Sequence, residues 1–155
     1  MRAGKLQECS ILLVVSALLT LSGAGCSRRP GLAVENPWIR AAPPTTAAFA
    51  AYMTLRSTAT SERVLVAARS PSFGAVTLHR TVVNGGMARM VEAKAVPIPP
   101  GGVVHFAPGG YHLMLAQPAA PVGVGEQFRV TLRFADGTEI PVDFEVRAAP
   151  SRGEP

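Results

Sequence analysis

Apolar and polar residues alternate with a period of two along most of the chain, which is the pattern of half-buried β-strands. The clearest case is YHLMLAQ at 111–117, where Leu113 and Leu115 share one face and His112 and Met114 lie on the other. The alternation predicts nine strands, at 38–41, 48–57, 63–70, 76–83, 87–93, 103–107, 111–117, 127–135 and 139–147.

Turn signals separate these segments at short intervals. The dipeptides NG at 84–85 and DG at 136–137, and PGG at 108–110, combine residues that accept positive φ or preset a turn. Many short strands joined by such turns indicate an antiparallel sandwich or barrel. We therefore predict an all-β fold.

The first 25 residues have the three-part layout of a secretory signal. Arg2 and Lys5 precede an apolar run at 11–21, and small residues follow it. The run is shorter than the roughly 20 apolar residues that a membrane-spanning helix needs. We interpret residues 1–25 as a signal segment that precedes the fold, and we expect an exported, periplasmic protein.

Two processing routes fit the end of this segment. Ser22-Gly23-Ala24 suits an ordinary signal peptidase, whereas LSGAG before Cys26 resembles a lipobox, which would make Cys26 the lipid anchor of a lipoprotein. Gly23 stands where that motif usually has Leu, so the sequence leaves both routes open. Beyond it, we interpret residues 26–33 as a linker, 34–148 as one β-sandwich domain and 149–155 as a tail.

The positions of the cysteines and the distribution of charged residues exclude several classes of function. The two cysteines are Cys9 and Cys26, so the predicted domain has no thiolate for a disulfide or a blue-copper centre. From Cys26 onward, 13 Lys and Arg stand against 9 Asp and Glu, a net charge of about +4 that is spread singly rather than in nucleic-acid-binding patches. The carboxylates are scattered, and the domain shows no Ser-His-Asp or Cys-His set. We therefore expect that the protein does not bind nucleic acid and is not an enzyme.

The His and Met residues of the domain form two close pairs. If the dipeptide at 84–85 is the centre of a type I′ turn, His79 pairs directly with Met90, with Cβ atoms about 4.5–5.5 Å apart. A three-residue turn would break that register. His112 and Met114 form the second pair, at i and i+2 on one strand face.

Two imidazoles and two thioethers make a donor set with a chemical preference. Thioether sulfur is soft and favours Cu(I), imidazole suits copper in general, and zinc prefers thiolate, imidazole or carboxylate. Beyond residue 25 the chain has three His and four Met, and four of these seven residues fall into the two pairs. The sequence therefore predicts a Cu(I) site, expected as a surface feature over a separate core.

The spacing of these residues resembles the signature of a known family. H-x10-M-x21-H-x-M, over His79, Met90, His112 and Met114, is the motif of the periplasmic copper chaperones of the PCu(A)C family. The resemblance covers about residues 34–148 and extends to WIRAAPP at 38–44, AAYMTLRS at 50–57 and PGGYHLML at 108–115.

The resemblance implies a cupredoxin-like Greek-key β-sandwich that binds one Cu(I) through those four side chains. It also implies copper delivery to the dinuclear copper centre of cytochrome c oxidase, carried by an oxidase subunit, often together with a Sco-type thiol protein. Many family members have a Met one or two residues after the first His, where this chain has Arg80 and Thr81. Some have a His- and Met-rich tail, but residues 149–155 contain neither residue, so we expect one copper per chain.

Several alternatives stay open at this point. A periplasmic copper storage or tolerance protein would use the same ligands, and a structural or adhesion β-sandwich would carry the His and Met residues incidentally. Met87 and His105 are candidate auxiliary donors, and Met53 is expected in the core. We expect a monomer, which would contact the membrane only if Cys26 carries a lipid.

Overall fold

The computed structural model describes residues 31–43 and 46–148. The predicted signal segment, Cys26 and the 149–155 tail lie outside the described residues. Within the two described ranges, no helix is long and apolar enough to cross a membrane. The strands are β1 Leu32–Arg40, β2 Ala48–Ser57, β3 Arg63–Arg69, β4 Phe73–Asn84, β5 Met87–Glu92, β6 Val96–Ile98, β7 Val103–Phe106, β8 Tyr111–Pro118, β9 Gln127–Phe134 and β10 Glu139–Arg147.

The predicted all-β fold is confirmed, and each of the nine predicted strands overlaps an observed one. β1 begins at Leu32, two residues before the predicted start of the domain at residue 34. Leu32 is buried and pairs with Ser57 on β2. The sequence pattern does not predict β6, which has only three residues and a proline at its centre. Both apolar residues of β6, Val96 and Ile98, are completely buried, and the strand pairs with β3.

The strands are hydrogen-bonded in the order β5-β4-β8-β7-β2-β1-β10-β9-β3-β6. β1 runs parallel to β10, and β1 and β2 are antiparallel. Strands from the two ends of this order share one core, because β3 lies next to β4 and both contribute to the same apolar cluster. Met53 belongs to that cluster, as predicted. The core residues are Leu32, Ile39, Phe49, Ala51, Met53, Leu55, Leu65, Ala68, Phe73, Leu78, Val96, Ile98, Phe106, Leu113, Leu115, Val130, Leu132, Phe134, Val142, Phe144 and Val146.

The alternation along β4 and β8 determines what the outer face of the sheet carries. Leu113 on β8 is completely buried in the core and lies opposite Leu78 on β4, which is also in the core. Successive side chains of a strand point to opposite faces. The neighbouring residues His79, His112 and Met114 therefore lie on the outer face.

The turn between β4 and β5 differs from the predicted one. Asn84 pairs with Met87, so Gly85 and Gly86 are the central residues of the turn, with φ of 57° and 80°. Both glycines adopt positive φ without a steric cost, whereas the predicted turn would place Asn84 in that conformation. The hairpin register is consequently two residues away from the predicted register.

Candidate metal centre

The two imidazoles of the predicted site lie side by side on the outer face. His79 on β4 is directly opposite His112 on β8, with ring centroids 5.8 Å apart and ring planes 30° from parallel. Two residues along the same pair of strands, Thr77 lies opposite Met114. Strand pairing thus brings His79, His112 and Met114 onto one face.

Met90 lies on the same face in a diagonal position. Thr81 pairs with Met90 and His79 pairs with Glu92, so the predicted direct pair of His79 and Met90 is wrong. A register shift of two residues preserves the face of every side chain, whereas a shift of one would reverse it. Met90 is therefore a diagonal neighbour of His79, a position that a long side chain can still bridge.

Each imidazole has one ring nitrogen in a hydrogen bond and one without a partner. Nδ1 of His112 lies 3.2 Å from the carbonyl oxygen of Gly110. Because a carbonyl can only accept, Nδ1 donates, and Nε2 of the neutral ring keeps a free lone pair. Nε2 of His79 lies 2.9 Å from Oγ1 of Thr77. Within the described part of the chain, His112 Nε2 and His79 Nδ1 are buried nitrogens with no hydrogen-bond partner.

The loop before β8 holds the ring of His112. The Gly110 carbonyl that accepts from His112 also accepts from the backbone N–H of Thr81 on β4, at 3.1 Å. The Gly110 N–H in turn donates to the carbonyl of Ala107 at 2.9 Å. The carbonyl oxygen of Gly110 therefore links the loop to β4 and determines the tautomer of His112.

Exposure increases across the candidate site. His112 is only 4% exposed, His79 and Met114 are half-buried, and Met90 is 64% exposed. The expectation of a site that is wholly a surface feature is wrong for His112. The site has one buried end and one exposed end.

Two aromatic side chains continue the outer face beside the buried His112. The ring centroid of Tyr52 on β2 lies 6.4 Å from that of His112, and Trp38 on β1 lies 4.8 Å from Tyr52. The alternation of β2 predicts that Tyr52 points outward, but only the strand order shows that Tyr52 lies next to His112 on β8. Sequence reasoning therefore missed the roles of Tyr52 and Trp38, and it also missed Thr77, which two-residue spacing from His79 places on the same face.

Strand pairing places the two candidate auxiliary donors elsewhere. Met87 pairs with Asn84 at the hairpin end, is 70% exposed, and alternates onto the face away from His79. His105 on β7 is exposed and lies opposite Thr54, whose Oγ1 is 3.2 Å from His105 Nδ1. Neither residue lies opposite a member of the imidazole pair.

The chemistry of this outer face combines nitrogen and soft sulfur donors. Residues 31–43 and 46–148 contain no group of three or more His, Cys, Asp or Glu side chains that is placed to hold a metal ion. Buried polar atoms in native proteins are nearly always hydrogen-bonded, so two unpartnered nitrogens on neighbouring rings call for an explanation. An imidazole nitrogen with a free lone pair and a thioether sulfur, as in Met90 and Met114, are both donor types that suit a soft metal ion.

Comparison with known proteins identifies relatives of the whole domain. The sequence profile of the LpqE-like family, described as "Putative lipoprotein LpqE-like", matches residues 32–146. A protein of Leifsonia xyli subsp. xyli named "Putative lipoprotein Lxx21020" is 37% identical over 118 residues. The match covers 76% of this chain and 70% of that protein.

Solved structures of copper proteins share the fold. The copper-bound PCuAC domain from PmoF2 is 27% identical, with a TM-score of 0.65 over 77% of this chain and 94% of that one. The solution structure of Cu(I)-bound DR1885 from Deinococcus radiodurans is 32% identical, with a TM-score of 0.63 over 80% of this chain and 83% of that one. These similarities confirm the predicted relationship to PCu(A)C domains and the predicted cupredoxin-like β-sandwich.

Proposed function

Because this chain belongs to the LpqE-like family, we propose that it is a copper chaperone that captures one Cu(I) outside the cytoplasm and does not catalyse a reaction. The observation that carries the proposal is the pair of buried, unpartnered nitrogens on adjacent rings, His79 Nδ1 and His112 Nε2. The thioethers of Met90 and Met114 complete the proposed ligand set. Copper in the related PmoF2 and DR1885 structures supports the same cargo here.

The difference in exposure along the site gives a route for transfer. His112 is buried and held by the Gly110 carbonyl, whereas Met90 lies on β5, all six residues of which are exposed. We infer that a donor of the partner replaces the thioether of Met90 first, while the imidazoles keep the ion. Because thioethers need no proton to leave, Cu(I) can pass by stepwise ligand exchange without release into solvent.

A Cu(I) titration of the exported domain against a competing chromophoric chelator tests this proposal. The expected result is one tightly bound Cu(I) per chain, because the four proposed donors form a single set. Two tightly bound ions per chain would contradict a single site, and a domain that takes no Cu(I) from the chelator would exclude copper as the cargo.

The β5 strand offers a matched pair of variants for the same titration. Met90→Ala removes a 64% exposed thioether from the site face, and Met87→Ala removes a 70% exposed thioether from the opposite face. We expect Met90→Ala to weaken Cu(I) binding and Met87→Ala to leave it unchanged. Both changes should alter the stability of the metal-free protein by about 0.5 kcal/mol or less, as surface substitutions do. Equal effects of the two on affinity would contradict the face assignment.

We propose that the recipient is the dinuclear copper centre of cytochrome c oxidase, reached through the subunit that carries it and a Sco-type thiol protein. The resemblance to PCu(A)C chaperones supports this destination. In a direct test, the Cu(I)-loaded domain is mixed with the metal-free copper-binding domain of such a subunit, and copper is measured in each after separation. Movement of copper to the subunit domain is expected, and complete retention by the carrier would favour storage or tolerance.

We also propose that residues 1–25 export the domain and that Cys26 anchors it as a lipoprotein. The lipoprotein descriptions of the family and of the Leifsonia xyli relative support the anchor. An anchor would hold the carrier close to membrane-bound oxidase. The mass of the exported protein tests this directly, because a lipid-free N-terminus would exclude the anchor.

A further inference from the structure

Thr77 makes the hydrogen bond that determines how the ring of His79 is held. Its Oγ1 lies 2.9 Å from Nε2 of His79. The two residues are neighbours on the outer face of β4, and Thr77 is also directly opposite Met114. The hydroxyl therefore lies within the proposed site without being one of its four donors.

The proton of the neutral His79 ring can lie on Nδ1 or on Nε2, and a threonine hydroxyl can bond to either form of Nε2. Nδ1 is buried and has no partner in the described part of the chain, so it is unsatisfied in either form of the metal-free ring. A proton on Nδ1 would block that nitrogen to a metal ion. A proton on Nε2 has the Thr77 oxygen as its acceptor and leaves Nδ1 with a lone pair.

We propose that Thr77 is a positioning residue whose hydroxyl accepts the Nε2–H of His79 and keeps Nδ1 unprotonated for the metal. The Gly110 carbonyl does the same for His112 through the opposite nitrogen, Nδ1. Outer hydrogen bonds of this kind fix the tautomer and orientation of ligating imidazoles. The inference rests on the proposed copper function for its purpose, but the tautomer itself is a property of the metal-free protein.

Three variants separate the hydroxyl from the shape of the side chain. Thr77→Val keeps the β-branched shape and removes the hydroxyl, whereas Thr77→Ser keeps the hydroxyl. Thr131→Val on β9, a half-buried threonine between the core residues Val130 and Leu132, is the matched control. Thr77→Val should weaken Cu(I) binding about 10–100-fold, the usual effect of losing an outer partner of a ligand. Thr77→Ser should retain most of the affinity, and Thr131→Val all of it.

Long-range ¹H–¹⁵N NMR of the metal-free protein determines which ring nitrogen of His79 carries the proton. Spectra at about pH 8, where free imidazole is neutral, should show His79 protonated on Nε2 in the wild type and in Thr77→Ser. Thr77→Val should lose that single tautomer while the His112 signals stay unchanged, which also shows that the variant is folded.

Two results would overturn the proposal: protonation of wild-type His79 on Nδ1, or a Thr77→Val variant whose His79 tautomer is unchanged. A wild-type protein with the expected tautomer that fails to bind Cu(I) would remove the proposed function. It would leave the Thr77–His79 assignment standing, so the two failures are distinguishable.

Discussion

Replacing Leu113 by alanine is expected to lower the free energy of unfolding of the metal-free protein by about 2–5 kcal/mol. Leu113 is completely buried and lies opposite two other core residues, Leu78 on β4 and Ala51 on β2. Truncation removes its apolar contacts and leaves a cavity, because close-packed interiors relax only partly around a missing side chain. Denaturant unfolding followed by far-ultraviolet circular dichroism measures the loss.

The same variant should keep its Cu(I) affinity in the folded molecules. Leu113 lies between His112 and Met114 in the sequence, but its side chain points to the opposite face of β8. Unfolding must be measured without metal, because a bound ion stabilises the folded state by mass action. Val124→Ala, at a 66% exposed position, is the control and should change stability by about 0.5 kcal/mol or less. A similar loss in both variants, or lost copper affinity in folded Leu113→Ala, would contradict the separation of core and site faces.

The period of two along each strand explains why so much of this architecture is predictable from the sequence. Alternation alone places Leu113 in the core and His112 and Met114 on the other face, and the structure agrees. It needs no knowledge of strand order, because the pleat of a single strand decides it. Short strands lack this information: β6 has only three residues, with Pro97 in the middle, and its pairing with β3 identifies it as a strand.

The hairpin shows where local signals give two answers. Asn84-Gly85 and Gly85-Gly86 are both good centres for a type I′ turn, and the structure uses the second. The choice changes the direct partner of His79 from Met90 to Glu92. It leaves Met90 on the site face, since the two registers differ by two residues. The face of a donor is therefore more predictable than its direct neighbour.

The state of the imidazoles depends on contacts that span the topology. The buried ring of His112 lies beside Tyr52, which follows from the neighbouring positions of β2 and β8 in the sheet. Its tautomer depends on the carbonyl of Gly110, and the ring of His79 depends on the hydroxyl of Thr77. Residue types and spacing indicate which side chains could bind a metal, but only these bonds show which nitrogens are free.

Replacing His112 by alanine is expected to affect both copper binding and stability. The variant loses a proposed ligand, so its Cu(I) affinity should fall by more than the about 10–100-fold that follows loss of an outer partner. Because His112 is only 4% exposed and packs beside Tyr52, its truncation should also cost about 0.5–3 kcal/mol of unfolding free energy. Chelator competition at a temperature where the variant is fully folded, with denaturant unfolding of the metal-free protein, measures both effects.

The control for this variant is His105→Ala, which removes an imidazole from β7. His105 is exposed and hydrogen-bonds Thr54, so its loss should leave Cu(I) affinity unchanged and alter stability by about 0.5 kcal/mol or less.

The contrast between His112→Ala and His105→Ala tests whether the free Nε2 of His112 is a metal donor. If that nitrogen is only an unsatisfied atom of a packed histidine, His112→Ala will lose stability yet bind Cu(I) as tightly as the wild type. That result would assign His112 to the core and remove it from the ligand set. If the nitrogen is a metal donor, the folded His112→Ala variant will lose Cu(I) affinity while His105→Ala keeps it, because only His112 belongs to the proposed ligand set.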